Sequence, residues 1–139
     1  MALRASKKEK NMIHIGTRLQ VSDNSGAKIV ECIKVLKCSS SGGARSSASI
    51  GDTIIVSVKE TIAKQKSKVE KGGIYKALIV ETVSGVQRKD GSLLKFARNS
   101  VVILSAQGTP IGTRILGLVT YELRKRNQSK ILSLASLVV

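Results

Sequence analysis

The run "IGDTIIVSVKETI", residues 50–62, limits the fold more than any other stretch of the chain. Ile54, Val56 and Val58 alternate with Ile55, Ser57 and Lys59, the two-residue period of a strand with one buried face. The other apolar runs are equally short and β-branched: Ile13 to Val21, "AKIVECIKVLKC" from Ala27, "YKALIVETV" at 75–83 and "VVIL" at 101–104. Clusters of Gly, Ser, Asn and Asp separate them, "SDNSGAK" being the densest, and such residues tolerate tight bends. The single proline, Pro110, falls in a loop. A chain of 139 residues has room for one compact core. Short strands at this spacing predict a mainly β protein, a small closed β-barrel.

The last third changes character. Good helix formers run from Val119 to Arg126, and Leu118, Tyr121 and Leu123 could share one face. One or two short helices closing an end of the barrel are expected there. "SSSGGARSSAS", residues 39–49, reads as a flexible loop. "KETIAKQKSKVEK", residues 59–71, suits a helix by composition, but Ile62 and Val69 make a poor apolar face, so a basic loop is preferred.

Charge decides what kind of molecule this is. Lys and Arg number 24 against 9 acids, a net of +15, and a self-repelling excess of that size calls for a polyanionic partner. The cations collect where loops and strand ends should be: Lys59, Lys64, Lys66, Lys68 and Lys71; Arg88, Lys89, Lys95 and Arg98; Arg124, Lys125 and Arg126. Each phosphate such side chains neutralise releases counterions. Aromatic content is only 2%, represented by Tyr75, Phe96 and Tyr121, which argues against base stacking and for folded RNA read by shape and phosphate position. No stretch approaches the roughly 18 apolar residues of a membrane span, so no membrane partner is expected.

Chemistry is scarce. His14 is the only histidine, and nothing near it suggests a nucleophile–base pair. Cys32 and Cys38 are too few and too far apart for a zinc site; Cys32 reads as a buried thiol. Gly42-Gly43 lacks the ending of a phosphate-cradling loop. No enzyme, cofactor, metal or small-molecule substrate is expected. Residues 1–11 form a basic extension without an apolar signal core, read as a tail lying on nucleic acid in preference to a targeting remnant.

The run Ala77 to Val80, nine residues, Asp90-Gly91, then Phe96, Asn99 and Val102-Ile103 resembles the signature of the universal large-subunit ribosomal protein L-fourteen family. "VSDNSGAK" (21–28), "CIKVLK" (32–37), "GDTIIVSVKE" (51–60), "PIGTRILGLVTYELR" (110–124) and "ILSLA" (131–135) are similar to the same family, in its order. The resemblance covers 12–139 and implies one domain, a five-stranded β-barrel with a short C-terminal helical part. It implies large-subunit rRNA as partner, a neighbour of the L-nineteen family and a bridge to small-subunit rRNA. It makes 61–71 a loop and assigns RNA contact to Asn24, Lys28, Lys59, Lys64, Lys66, Lys68 and Lys71. Thr113 and Arg114 match the surface where a ribosome-silencing factor docks, and Arg124 and Lys125 fall near the bridge. To these the charge pattern adds Arg88, Lys89, Lys95 and Arg98.

Departures from the family are informative. Lys89 stands where bacterial-type relatives usually have proline, the 39–49 loop is serine-rich, and the extension before Met12 is unusual. Together they favour a mitochondrial ribosome over a bacterial or plastid one. The rival reading is a free single-strand nucleic-acid chaperone of barrel fold, which would need Tyr75, Phe96 and Tyr121 as stacking surfaces.

Overall fold

A computed structural model describes residues 13–36, 47–62, 68–83, 86–121, 123 and 129–139. Five strands close a barrel in the order β2 (Arg18–Val21), β3 (Ala27–Leu36), β5 (Thr53–Thr61), β6 (Ile74–Glu81) and β9 (Ser100–Leu104). Neighbours are antiparallel except at the seam, where β9 runs parallel to β2 through Gln20↔Ser100 and Val21↔Val101. Closure removes the open edges that a five-stranded sheet would otherwise expose.

The expected alternation along β5 is present: Ile54, Val56 and Val58 are buried, and the residues between them are partly open. They pack with Leu19, Val30 and the Cys32 side chain in the core. Burial pushes the Cys32 thiol above its ordinary pKa, so it stays neutral and unreactive. β6 and β9 differ, being buried on both faces from Ala77 to Glu81 and from Ser100 to Leu104. Their near-continuous apolar runs are the mark of strands covered twice. The outer cover includes β10 (Ile115–Val119), which packs against β6. Val119, Leu123 and Ile131 are fully buried in the same core.

Two expectations need correction. The run from Ile13 to Val21 is broken into β1 (Ile13–His14) and β2 by a turn in which Thr17 N donates to His14 O at 3.1 Å. β1 leaves the barrel and pairs with β4 (Ser47–Ala48). In the C-terminal third, Val119 ends a strand rather than starting a helix, and Tyr121 is exposed, so Leu118, Tyr121 and Leu123 share no face. Of the 119–126 run, residues 122 and 124–126 lie outside the described residues, and Leu123 N donates to Thr120 O at 3.4 Å in a tight 3₁₀ turn. The α-helix described beyond it is α1 (Ser129–Leu134), followed by β11 (Ala135–Val138). β11 lies parallel to β10 through Ile115↔Ala135 and Val119↔Val138. This pairing joins segments about twenty residues apart, which local propensity does not register.

The bend "SDNSGAK" does more than turn. Ser22 N donates to Val101 O at 3.0 Å, and Leu116 N donates to Ser22 O. The buried Asp23 carboxylate accepts from Ser25 Oγ at 2.6 Å, Ser25 N at 3.2 Å and Ile103 N at 3.0 Å. One side chain thereby joins its own loop to β9. Burial pushes the Asp23 pKa up from 3.8 against the pull of the Ser25 and Ile103 hydrogen bonds. Asp23→Asn puts an N–H₂ where an N–H or O–H now donates, and should lower unfolding free energy by about 1–3 kcal/mol in urea denaturation. Because the folded pKa is raised, the folded state binds this proton more readily than the unfolded chain. Acidification through the raised pKa towards 3.8 therefore favours folding at this site, and the variant should lose that part of the pH profile.

Candidate nucleic-acid interface

Strand directions sort the candidate residues into two groups. The loops after β2, β5 and β9 leave one end of the barrel; the segment between β6 and β9 leaves the other.

At the first end, Lys28 opens β3 and is exposed, as are Lys68 and Lys71 before β6. Lys68 N donates to Ser25 O at 2.7 Å and Ile62 N to Gly26 O at 2.8 Å. The basic loop is thus fastened at both described margins to the motif bend. Lys64 and Lys66 lie outside the described residues, and Lys59 is on strand β5, not in the loop. Its Nζ is 3.8 Å from a Glu31 carboxylate oxygen, and both side chains are well exposed, so the pair is weak.

Asn24, exposed in the motif bend, also makes bonds within the fold. Its Oδ1 accepts from Thr113 N at 2.8 Å and Arg114 N at 3.2 Å, and its Nδ2 donates to Thr113 Oγ1 at 2.8 Å. Its own N–H donates to Arg114 O at 3.2 Å. Gly112 makes this approach possible: a Cβ there would stand 2.8 Å from Asn24 Oδ1 and 3.1 Å from Asp23 Cβ. The Asn24 side chain is a latch that sets the 112–114 loop and leaves the Arg114 side chain exposed beside it.

At the other end, β7 (Val86–Gln87) and β8 (Leu93–Leu94) form a hairpin around Asp90-Gly91. Gly91 has φ +91°, a conformation glycine accepts without strain. Arg88 N donates to Ser92 O at 2.9 Å, while the Asp90 carboxylate accepts from Ser92 Oγ at 2.6 Å and Ser92 N at 3.0 Å. Those bonds hold the Asp90 pKa below 3.8.

The four cations here are not equivalent. Arg98 Nε donates to Glu81 Oε2 at 3.1 Å and its Nη1 to Gln20 Oε1 at 3.0 Å. The Glu81 side chain is only 6% exposed, and its other oxygen accepts from Leu118 N at 3.3 Å. Arg98 therefore neutralises a buried carboxylate that ties β6 to β10. Arg88 Nη2 donates to the Val139 carbonyl oxygen at 2.6 Å, clasping the hairpin to the chain beyond β11. Lys89 and Lys95 are exposed and engage no acid among the described residues.

The structure thus leaves Lys28, Lys68, Lys71, Lys89, Lys95 and Arg114 presenting side chains to solvent, while Arg88 and Arg98 have internal partners. Arg124 and Lys125 lie outside the described residues. The charge-cluster reading passed over Arg18, Lys34, Lys76 and Lys130, all exposed. For Lys34 and Lys76 the usable signal was strand alternation, which turns them outward.

Arg98→Gln strands the Glu81 carboxylate and should destabilise the fold by about 1–3 kcal/mol, whereas Lys95→Gln should stay within about 0.5 kcal/mol. Paired urea melts would read both. For Asp90, a depressed folded pKa means its contribution to the turn is present above 3.8 and lost only as pH falls through the lower value. A carbon-detected NMR titration should place its midpoint below 3.8, and a midpoint at or above that value would contradict the Ser92 bonds.

The family described as Ribosomal protein L14p/L23e matches residues 12–139. The match spans nearly the whole chain, and the chain belongs to that family. Its members are structural, RNA-binding components of the ribosome and not enzymes.

Proposed function

We propose that this member of the L14p/L23e family binds large-subunit rRNA through two sets of cations at opposite ends of its barrel, and contributes to the intersubunit face during translation. The observation that carries the reading is the split between internally paired and unpaired charge. Lys28, Lys68 and Lys71 at one end, and Lys89 and Lys95 at the other, are exposed without an acidic partner among the described residues. The barrel lies between both sets and acts as a spacer between two segments of phosphate backbone. Thr113 and Arg114, presented by the Asn24 latch, are the residues we assign to a silencing factor. Arg124 and Lys125 we assign to the bridge with small-subunit rRNA, beside a neighbour of the L-nineteen family. Residues 12–139 are taken as one domain behind a basic extension, and that extension with Lys89 favours a mitochondrial ribosome.

The chaperone reading is less well supported. Phe96 packs against the core, and Tyr75 is half-buried with its hydroxyl accepting from Glu70 N at 3.2 Å. Only Tyr121 of the three rings is exposed.

Co-sedimentation of the full chain with large subunits through moderate salt is expected; a pool wholly free of ribosomes would defeat the proposal. With an rRNA fragment, Lys89→Gln plus Lys95→Gln should lower the slope of log affinity against log salt by about one per lysine. Arg124→Glu with Lys125→Glu should impair subunit joining more than large-subunit assembly, measured on sucrose gradients. Equal defects would make these residues assembly contacts.

A further inference from the structure

The outer wall of the barrel carries a groove of about 490 Å³ that the RNA reading does not use. Ile55, Ile74, Leu104 and Ile111 give it an aliphatic lining, Tyr75 adds an aromatic side, and Lys76 is the only charged residue among the described residues that line it. Ile74 is 67% exposed although it sits in β6. Strand register explains the charge. Lys34 pairs with Ile55, Ile55 with Lys76 and Lys76 with Leu104, so two exposed lysines flank Ile55 in one row across three strands. Among the described residues neither lysine has an acidic partner and no acid lines the groove.

We infer that this groove docks an extended, acidic segment of another protein, with an aliphatic side chain seated between Ile55 and Ile74 and a neighbouring carboxylate on Lys76. Charge complementarity selects that occupant. An aliphatic anchor removes the exposed Ile74 from water, and a carboxylate at the rim meets a cation that has none among the described residues. RNA fits less well, because isoleucines give bases no stacking plane and phosphate held at Lys76 would be forced against apolar surface. The inference is independent of the RNA contacts, which use loops at the barrel ends.

The test uses the full chain with isotope-labelled Ile and Leu methyl groups. A synthetic hexapeptide of alternating Glu and Leu is titrated in, then its Gln-Leu counterpart, then a single-stranded oligouridylate. Supporting results are shifts at the Ile55, Ile74, Leu104 and Ile111 methyls with the Glu-Leu peptide, and weaker binding of the Gln-Leu peptide. Ile74→Thr, a change at an exposed site, and Lys76→Glu should each weaken the Glu-Leu peptide by roughly five-fold or more. Ile74→Thr should leave oligouridylate affinity within about two-fold. Wild-type peptide binding by both variants would overturn the inference. So would groove methyls that move with oligouridylate and not with peptide, which would make the groove an RNA contact. Loss of RNA affinity in the Lys89 and Lys95 variants bears only on the ribosomal reading, so the two can fail separately.

Discussion

A buried carboxylate and the amide beside it hold together the end of the barrel from which the basic loops emerge. Asp23 accepts from its own loop and from Ile103 in β9, while Asn24 grips the backbone of Thr113 and Arg114. The Ile103 bond and the Asn24 bonds join segments about eighty to ninety residues apart in the chain. Burying a carboxylate is unfavourable in itself, as the raised Asp23 pKa records, and three donors offset that cost. What results is a five-residue bend to which β9, the 112–116 segment and both margins of the basic loop are fastened. The cations that emerge there are carried by a fixed frame.

The other end is organised by the pairing of Arg98 with Glu81. Glu81 is buried where β6 meets β10, and Gly117 leaves room for it: a Cβ at that position would stand 3.2 Å from Glu81 Oε1. Removing Arg98 would leave the buried Glu81 carboxylate without its charge partner. Arg98 is thus part of the frame, whereas Lys95, three residues away, has its charge available for a polyanion. In a protein of net charge +15, internal pairs of this kind determine which cations remain for a partner.

Much of this could be read from residue order. The Ile54, Val56, Val58 alternation corresponds to the buried face of β5, and the closed five-stranded barrel agrees with the spacing of the short runs. The turn at Asp90-Gly91 is held by local bonds, all between Arg88 and Ser92. Three things were not legible. "ASLVV" follows a short helix and contains no signal that β10 waits for it as a parallel partner. Asn24 was read as an RNA contact, and its hold on the backbone of "GTR" went unseen because those partners lie far along the chain. Arg98 looked like Lys95, because burial of Glu81 is a property of the packed barrel.

Composition and periodicity by themselves determined a basic, mainly β barrel without apparent catalytic chemistry, because charge surplus, strand alternation and turn residues act over a few positions. Tertiary structure alone decided which cations are free, since pairing depends on groups brought together by strand register and closure. It also decided that the free charges leave opposite ends of the barrel, with an aliphatic groove on the wall beside Lys76. Neighbours in space are set there by barrel geometry, and distance along the chain carries no record of it.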